Sequence, residues 1–236
     1  LNLSETNLSV QEFYIISKEL IHFKKLKSLY LNSNLIINKT ICYLNPILPN
    51  LEELSLDSNY ISYQGIKYLS NEFSNMKKLK YLSLNNCNIS NDEIYLISEN
   101  ISKLNKLEYI SLYGNYCNIS ILSYFLLELP KENLIFLDLG DICSLELDYN
   151  IFQTKLHYTS FISSQLELFK NLETLIWNMY YDTHIMFGLG KLKKLKKLVL
   201  NINPFFSNIN ISYFPYLPNL EFLKISSIEY KSLEIV

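Results

Sequence analysis

Arginine is absent from the 236 residues, so all 21 basic side chains are lysine. The usual bidentate reader of phosphate and guanine is therefore missing. Against 23 acidic residues the formal net charge is -2 and the pI about 6.0. No broad positive field is left to attract nucleic acid or an anionic membrane, and neither is expected as a partner. Long hydrophobic runs are also lacking. The longest, Ile119 to Leu129, is about half a membrane span and is broken by Ser123 and Glu128. No signal-peptide pattern is visible. The four cysteines, Cys42, Cys87, Cys117 and Cys143, form no C-x-x-C pair of the kind that binds zinc or cycles a disulfide.

Reactive constellations are missing as well. His22, His157 and His184 are scattered, without H-E-x-x-H or a cysteine at ligand spacing. Gly188-Leu189-Gly190-Lys191 has the outline of a phosphate loop. It lacks the glycine five positions before Gly190, however, and Leu192 stands where Ser or Thr would hold magnesium. There is no G-x-S-x-G. Asp138 and Asp141 could be neighbours near a strand end, but two carboxylates without a pocket or base partner are weak evidence of catalysis. The expectation is a protein that is not an enzyme, with no cofactor and no metal.

What is present is recurrence. The segment Leu79-Lys80-Tyr81-Leu82-Ser83-Leu84-Asn85-Asn86-Cys87-Asn88-Ile89 returns as Leu26, Leu29, Leu31, Asn34 and Ile36. It returns again as Leu51, Leu54, Leu56, Asn59 and Ile61, and as Leu107, Ile110, Leu112 and Asn115. The spacing L-x-x-L-x-L-x-x-N/C-x-I/L is the signature of a leucine-rich repeat. Taking the first leucine of each L-x-L pair gives Leu1, Leu29, Leu54, Leu82, Ile110, Leu137, Leu175, Leu198 and Leu223, in steps of 28, 25, 28, 28, 27, 38, 23 and 25 residues. The expected organisation is one domain over 1–236 with about eight to nine repeats. Leu1, Leu3 and Leu8 already occupy repeat positions, with Thr6 in the Asn slot. The chain is thus expected to be a fragment of a longer protein, because solenoids need polar terminal caps.

A step near 28 leaves room for a short strand, a turn and a helix of about three turns. Ser9-Val10-Gln11-Glu12 and Ser90-Asn91-Asp92-Glu93 are capping boxes. Behind them, Phe13, Ile16, Leu20 and Phe23, and Ile94, Ile97, Ile101 and Leu104, fall on single helical faces. Ile66, Leu69 and Phe73 do the same in another unit. This alternation, with the turn phrase Asn88-Ile89-Ser90-Asn91-Asp92-Glu93-Ile94, resembles the ribonuclease-inhibitor-like subclass of leucine-rich repeats. The resemblance is good from Leu1 to about Asn118 and weakens from Leu134 onward. It implies an α/β fold: a curved leucine-rich repeat solenoid with parallel strands on the concave face and helices on the convex face.

Physics supports the template. Strands too short to be stable alone pair in parallel with the next unit, and the leucines merge into one core. Asn34, Asn59 and Asn115 should point inward and bond the turn backbone, with Cys87 filling the same slot through its weak S–H donor. Between Leu137 and Leu175 the step is about ten residues too long, which marks an irregular insertion around 140–171. A competing register, Ile142, Leu145, Leu147, Asn150 and Phe152, also fits. Leu134-Leu137-Leu139 is preferred because Lys131-Glu132-Asn133 before it resembles Pro49-Asn50 before Leu51 and Pro218-Asn219 before Leu220. Farther on, Trp177 replaces a core leucine, Asn203 returns to type, Pro204 and Pro215 shorten the helical segment, and Ile228 closes the last strand. The lysines of Lys191 to Lys197 are read as solvated.

The residues that flank the strand leucines face the concavity. One column reads Ser28, Glu53, Tyr81, Tyr109, Phe136, Thr174, Lys197 and Phe222. The second reads Tyr30, Ser55, Ser83, Ser111, Asp138, Ile176, Val199 and Lys224. The third reads Asn32, Asp57, Asn85, Tyr113, Gly140, Asn178, Asn201 and Ser226. Aromatics over small serines offer a large rigid area with a hydroxyl handle. Tyr30, Asp57, Tyr81, Tyr109, Tyr113, Phe136 and Asp138 are the expected contacts of a non-enzymatic scaffold that binds a partner protein. Alternatives of other classes are the substrate-recognition module of a larger enzyme complex, such as a ubiquitin-ligase adaptor, or a structural subunit of a large assembly. Extracellular members of the family often carry a disulfide-rich cap, and none is present, so a cytoplasmic setting is expected. The seven N-x-S/T sequons, at Asn2, Asn7, Asn38, Asn88, Asn100, Asn118 and Asn210, are read as unglycosylated in that setting.

Overall fold

The computed structural model describes residues 1–36, 38–142, 152–179, 183–202, 214–227 and 233–235. Each L-x-L pair forms a short strand: β1 Ser28–Tyr30, β2 Glu53–Ser55, β3 Tyr81–Ser83, β4 Tyr109–Ser111, β5 Phe136–Leu139, β6 Thr174–Met179, β7 Lys197–Ile202 and β8 Phe222–Ser227. They pair in chain order, all parallel, and β9 (Leu233–Ile235) joins β8 antiparallel. The register runs Leu29, Leu54, Leu82, Ile110, Leu137, Leu175, Leu198, Leu223, the series that the repeat spacing picks out. Residues at the N-terminal edge extend the pattern. The N–H of Tyr30 donates to the carbonyl of Leu1 at 3.0 Å, and that of Leu3 to Tyr30 at 2.9 Å.

Leu137 pairs with Ile110 on one side and Leu175 on the other. The Leu134-Leu137-Leu139 register therefore holds against its competitor. Ile142 is buried all the same, Phe152 opens a helix, and Leu145, Leu147 and Asn150 lie outside the described residues, as do Cys143, Asn203, Pro204, Asn210 and Ile228.

Helices return the chain from the end of one strand to the start of the next: α1 Val10–Leu20, α2 Asn38–Cys42, α3 Tyr63–Glu72, α4 Asn91–Ile101, α5 Ile119–Glu128, α6 Phe152–Leu166 and α7 Thr183–Leu189. Both expected capping boxes form, with Glu12 bonded back to the N–H of Ser9 at 2.9 Å and Glu93 to that of Ser90 at 2.9 Å. Asn118 caps α5 by accepting the N–H of Ile121. The apolar faces turn inward as the periodicity requires: Phe13 and Leu20, Ile66, Leu69 and Phe73, Ile94, Ile97, Ile101 and Leu104 are all buried. Phe23 departs from this reading. It follows the end of α1 in a turn and is 59% exposed.

The buried residues form one continuous core between the sheet and the helices, with Trp177 filling a leucine position. A helix is about 10 Å across, whereas strands pair about 4.8 Å apart. Stacking such units fans the helices outward and bends the sheet, so the free sheet face is concave. The molecule is an α/β leucine-rich repeat solenoid.

Buried amides hold the turns. Asn59 Oδ1 accepts the N–H of Asn34 at 3.2 Å and of Ile36 at 3.1 Å, and its Nδ2 donates to the carbonyls of Leu31 and Leu56. Asn115 does the same for Cys87 and Ile89, and for Leu84 and Leu112. Asn34 receives the N–H of Leu8 and the hydroxyl of Thr6. Cys87 supplies only the donor half: Sγ–H reaches the carbonyl of Leu56 at 3.2 Å. The Ile61 N–H of the preceding turn bonds the carbonyl of Asn59 instead.

Candidate concave binding face

The parallel register sets side chains of equivalent strand positions about 4.8 Å apart, and identical shapes then stack. Tyr81 pairs with Tyr109 and Tyr109 with Phe136. Their rings form a continuous pile: Tyr81 to Tyr109 is 4.0 Å between centroids at 16°, and Tyr109 to Phe136 is 4.0 Å at 12°. Tyr30 meets Tyr81 edge-on at 6.5 Å. The hydroxyl of Tyr30 donates to Glu53 Oε2. That bond, with burial second, pushes the Tyr30 phenol up to about 12. The facing surfaces of the piled rings cover one another, so ring edges are left for a partner.

Beside the pile runs a polar ladder. Asn32 Oδ1 accepts the Ser55 hydroxyl at 2.6 Å and the N–H of Asp57 at 2.9 Å. Asp57 Oδ1 accepts Ser83 at 2.7 Å and the N–H of Asn85 at 2.8 Å. Asn85 Oδ1 accepts Ser111 at 2.6 Å and the N–H of Tyr113 at 2.8 Å. The serines are therefore not an open floor beneath the aromatics, as the sequence suggested. Ser55, Ser83 and Ser111 are buried, each spending its proton on the previous repeat.

The ladder breaks at β5. Tyr113 has no acceptor at the right reach, Asp138 replaces the donor serine, and Gly140 has no side chain. Asp138 Oδ1 turns to the N–H of Gly140 at 2.9 Å. A Cβ on Gly140 would come within 2.7 Å of the Tyr113 ring, so the glycine makes room for that ring. Tyr113 bonds Asp141, whose carboxylate also accepts Asn178. Asn178, Asn201 and Ser226 then resume the chain of bonds.

Electrostatics single out the break. Burial raises the Asp138 carboxyl above its ordinary value. The Gly140 N–H and the Ser111 hydroxyl oppose this, and the charges of Asp141 and Asp57 add to it. Tyr109 is raised chiefly by burial, then by Tyr81 and by the carboxylates of Asp138 and Asp57. Tyr113 is raised by its bond to Asp141. Lysine–carboxylate pairs lie elsewhere, on the edge where the chain enters the strands: Lys27–Glu52 at 2.7 Å, Lys196–Glu173 at 2.8 Å and Lys80–Glu108 at 3.8 Å.

All seven expected contact residues thus lie on one sheet face. Tyr30, Tyr81, Tyr109 and Phe136 are continuous, and Asp57, Tyr113 and Asp138 flank them. Sequence columns did not foresee the Tyr30–Glu53 bond or the joining of Tyr113 to Asp141. Both depend on side-chain reach between neighbouring repeats. Asp141 carried one signal, its spacing of three from Asp138.

Among the described residues no three His, Cys, Asp or Glu side chains gather as a metal site would require. The glycines of the 188–190 segment serve packing. A Cβ at Gly188 would meet the Ser163 backbone at 2.6 Å, and one at Gly190 would meet Pro215 at 3.1 Å. An apolar groove beside them, about 420 Å³, is lined by Met186, Phe187 and Tyr216. No described helix is long and apolar enough to cross a membrane.

No model of a known protein family matches the chain, and no curated protein matches it. Solved structures do resemble it. The leucine-rich repeat-containing protein LegL7 from Legionella pneumophila is 14% identical, with 99% of this chain and 84% of that chain covered and a TM-score of 0.49. A TLR13–ssRNA13 complex is 17% identical over 87% of this chain and 30% of that one, with a TM-score of 0.48. The leucine-rich repeat protein LIC12759 of Leptospira interrogans is 19% identical over 78% and 64%, with a TM-score of 0.34.

Proposed function

We propose that this protein is a non-enzymatic scaffold that grips a partner protein in its concave face, through Tyr30, Asp57, Tyr81, Tyr109, Tyr113, Phe136 and Asp138. The observation that carries this reading is the aromatic pile from Tyr81 to Phe136, laid across three strands with carboxylates alongside. Rigid aromatics lose little conformational freedom on binding and dominate interface energetics. The same carboxylates repel phosphate, which supports a protein partner over nucleic acid. No disulfide joins Cys42, Cys87 or Cys117, which supports a cytoplasmic setting.

The test is a pull-down from cells of the source organism with wild type and with the variant Tyr81→Ala/Tyr109→Ala/Tyr113→Ala. Loss of the partners retained by wild type is the expected result. Unchanged retention of every partner would move the binding surface off this face.

A further inference from the structure

We propose that the half of the concave face running from Glu53 to Asp141 takes a lysine- or arginine-bearing segment of the partner protein. This rests on the concave-face reading above and adds the chemistry of what is gripped.

The concave positions of β1 to β5, with the residue that follows each pair, carry Glu53, Asp57 and Asp138 and no lysine. Asp141 stands directly beyond Gly140. Among the described residues, no lysine pairs with any of these four carboxylates. On β6 to β8 the concave positions carry Lys197, over the Phe222 ring at 5.3 Å, and Lys224, in register with Glu234 of β9. The carboxylates of the face thus gather over β2 to β5, where a basic segment would lie.

The fold does not need the negative charges. Asn32 and Asn85 hold the same place as Asp57 in neighbouring repeats and accept the same two bonds, from a serine hydroxyl and a backbone N–H. A neutral amide does that work as well as a carboxylate. The charge of Asp57 is surplus to the ladder. The charge of Asp138 is worse than surplus, because it is half-buried beside Asp57 and Asp141. A partly desolvated carboxylate with no cation attracts one more strongly than an exposed carboxylate does.

The neighbours suit a long cationic side chain in particular. The facing surfaces of Tyr81, Tyr109 and Phe136 are taken by stacking, so the pile offers mainly ring edges, against which the methylene stem of lysine or arginine can lie. The charged head then reaches Asp57, Asp138 or Asp141 on the flank.

The experiment uses the full chain and two fluorescein-labelled probes, decalysine and decaglutamate, followed by anisotropy. Decalysine should bind, more weakly as salt rises, and decaglutamate should not. Asp57→Asn/Asp138→Asn/Asp141→Asn should weaken decalysine by about fivefold or more, while Glu52→Gln/Glu173→Gln on the strand-entry edge should change it by less than about twofold. A thermal melt of the asparagine variant no lower than that of wild type shows that the fold is kept. Equal binding of decaglutamate, no binding of decalysine, or a loss below about fivefold in the asparagine variant overturns the inference. The pull-down separates it from the broader reading. If the tyrosine-to-alanine variant loses its partners and the asparagine variant keeps them, the basic-segment inference falls and the concave-face reading stands. If both variants keep every partner, both fall.

Discussion

The rings of Tyr81 and Tyr109 lie 4.0 Å apart and nearly parallel because their backbones are directly paired in the sheet. Tyr109 is clamped on its other side by Phe136 at the same distance. Each aromatic contact is worth about 0.5–1.5 kcal/mol beyond area burial. Tyr109→Ala removes both at once and should lower the urea-unfolding free energy by about 2–3 kcal/mol. Tyr109→Phe keeps the pile and should cost under about 1 kcal/mol. Equal losses for the two variants would show that the hydroxyl, not the stacking, holds the ring.

Asn59 joins two turns. Asn59→Leu fills the volume but orphans the N–H groups of Asn34 and Ile36, whose acceptor it is. One orphaned buried group costs about 1–3 kcal/mol, so this variant should lose at least that much. Urea titration at neutral pH reads the loss. Cys87 occupies the equivalent slot with a weaker hydrogen-bonding set, so Cys87→Asn should cost less than Asn59→Leu.

Burial pushes the Cys87 thiol up to about 12. With almost no thiolate at pH 8 and no solvent access, it should resist alkylation in the folded protein. Iodoacetamide treatment followed by peptide mass spectrometry should find Cys87 unlabelled in the native protein and fully labelled in urea. Rapid native labelling would mean that the repeat of β3 opens locally.

Asp138 has a raised carboxyl in the folded state. As pH climbs past the ordinary value of 3.8, the unfolded chain releases this proton first, so folding loses stability. Asp138→Asn removes that penalty. The variant should melt higher than wild type at pH 7, and the gap should close as the pH falls below 4. Parallel melting curves at every pH would contradict the raised value.

The backbone plan was almost wholly legible. Spacing placed the paired aliphatics on either side of the irregular stretch, because a one-residue slip would turn the leucines out of the core; at Leu137 two registers fitted, and the Lys131-Glu132-Asn133 approach chose between them. The capping boxes at Ser9 and Ser90 were equally readable, since each needs only residues three apart. Phe23 was misread because periodicity gives a face but not the point where the helix ends; the turn at Ile21 takes Phe23 out of it. The site was legible as columns but not as bonds. Ser83 looked like exposed floor, yet it is buried because Asp57, 26 residues away in sequence, takes its proton. Whether a carboxylate bonds a hydroxyl or meets a partner depends on reach between repeats, which no local pattern encodes.

A photo-crosslinking residue placed in turn at Tyr113 and at Tyr95 tests the concave-face account most directly. The two tyrosines are 38% and 43% exposed, so access to reagent and solvent is matched. Tyr113 lies on the sheet face, whereas Tyr95 lies on α4 and stacks on Tyr124 of α5. Irradiation in cells of the source organism should give a covalent protein adduct from position 113 and none from position 95. Adducts from position 95 alone would place the partner on the helices and contradict the account.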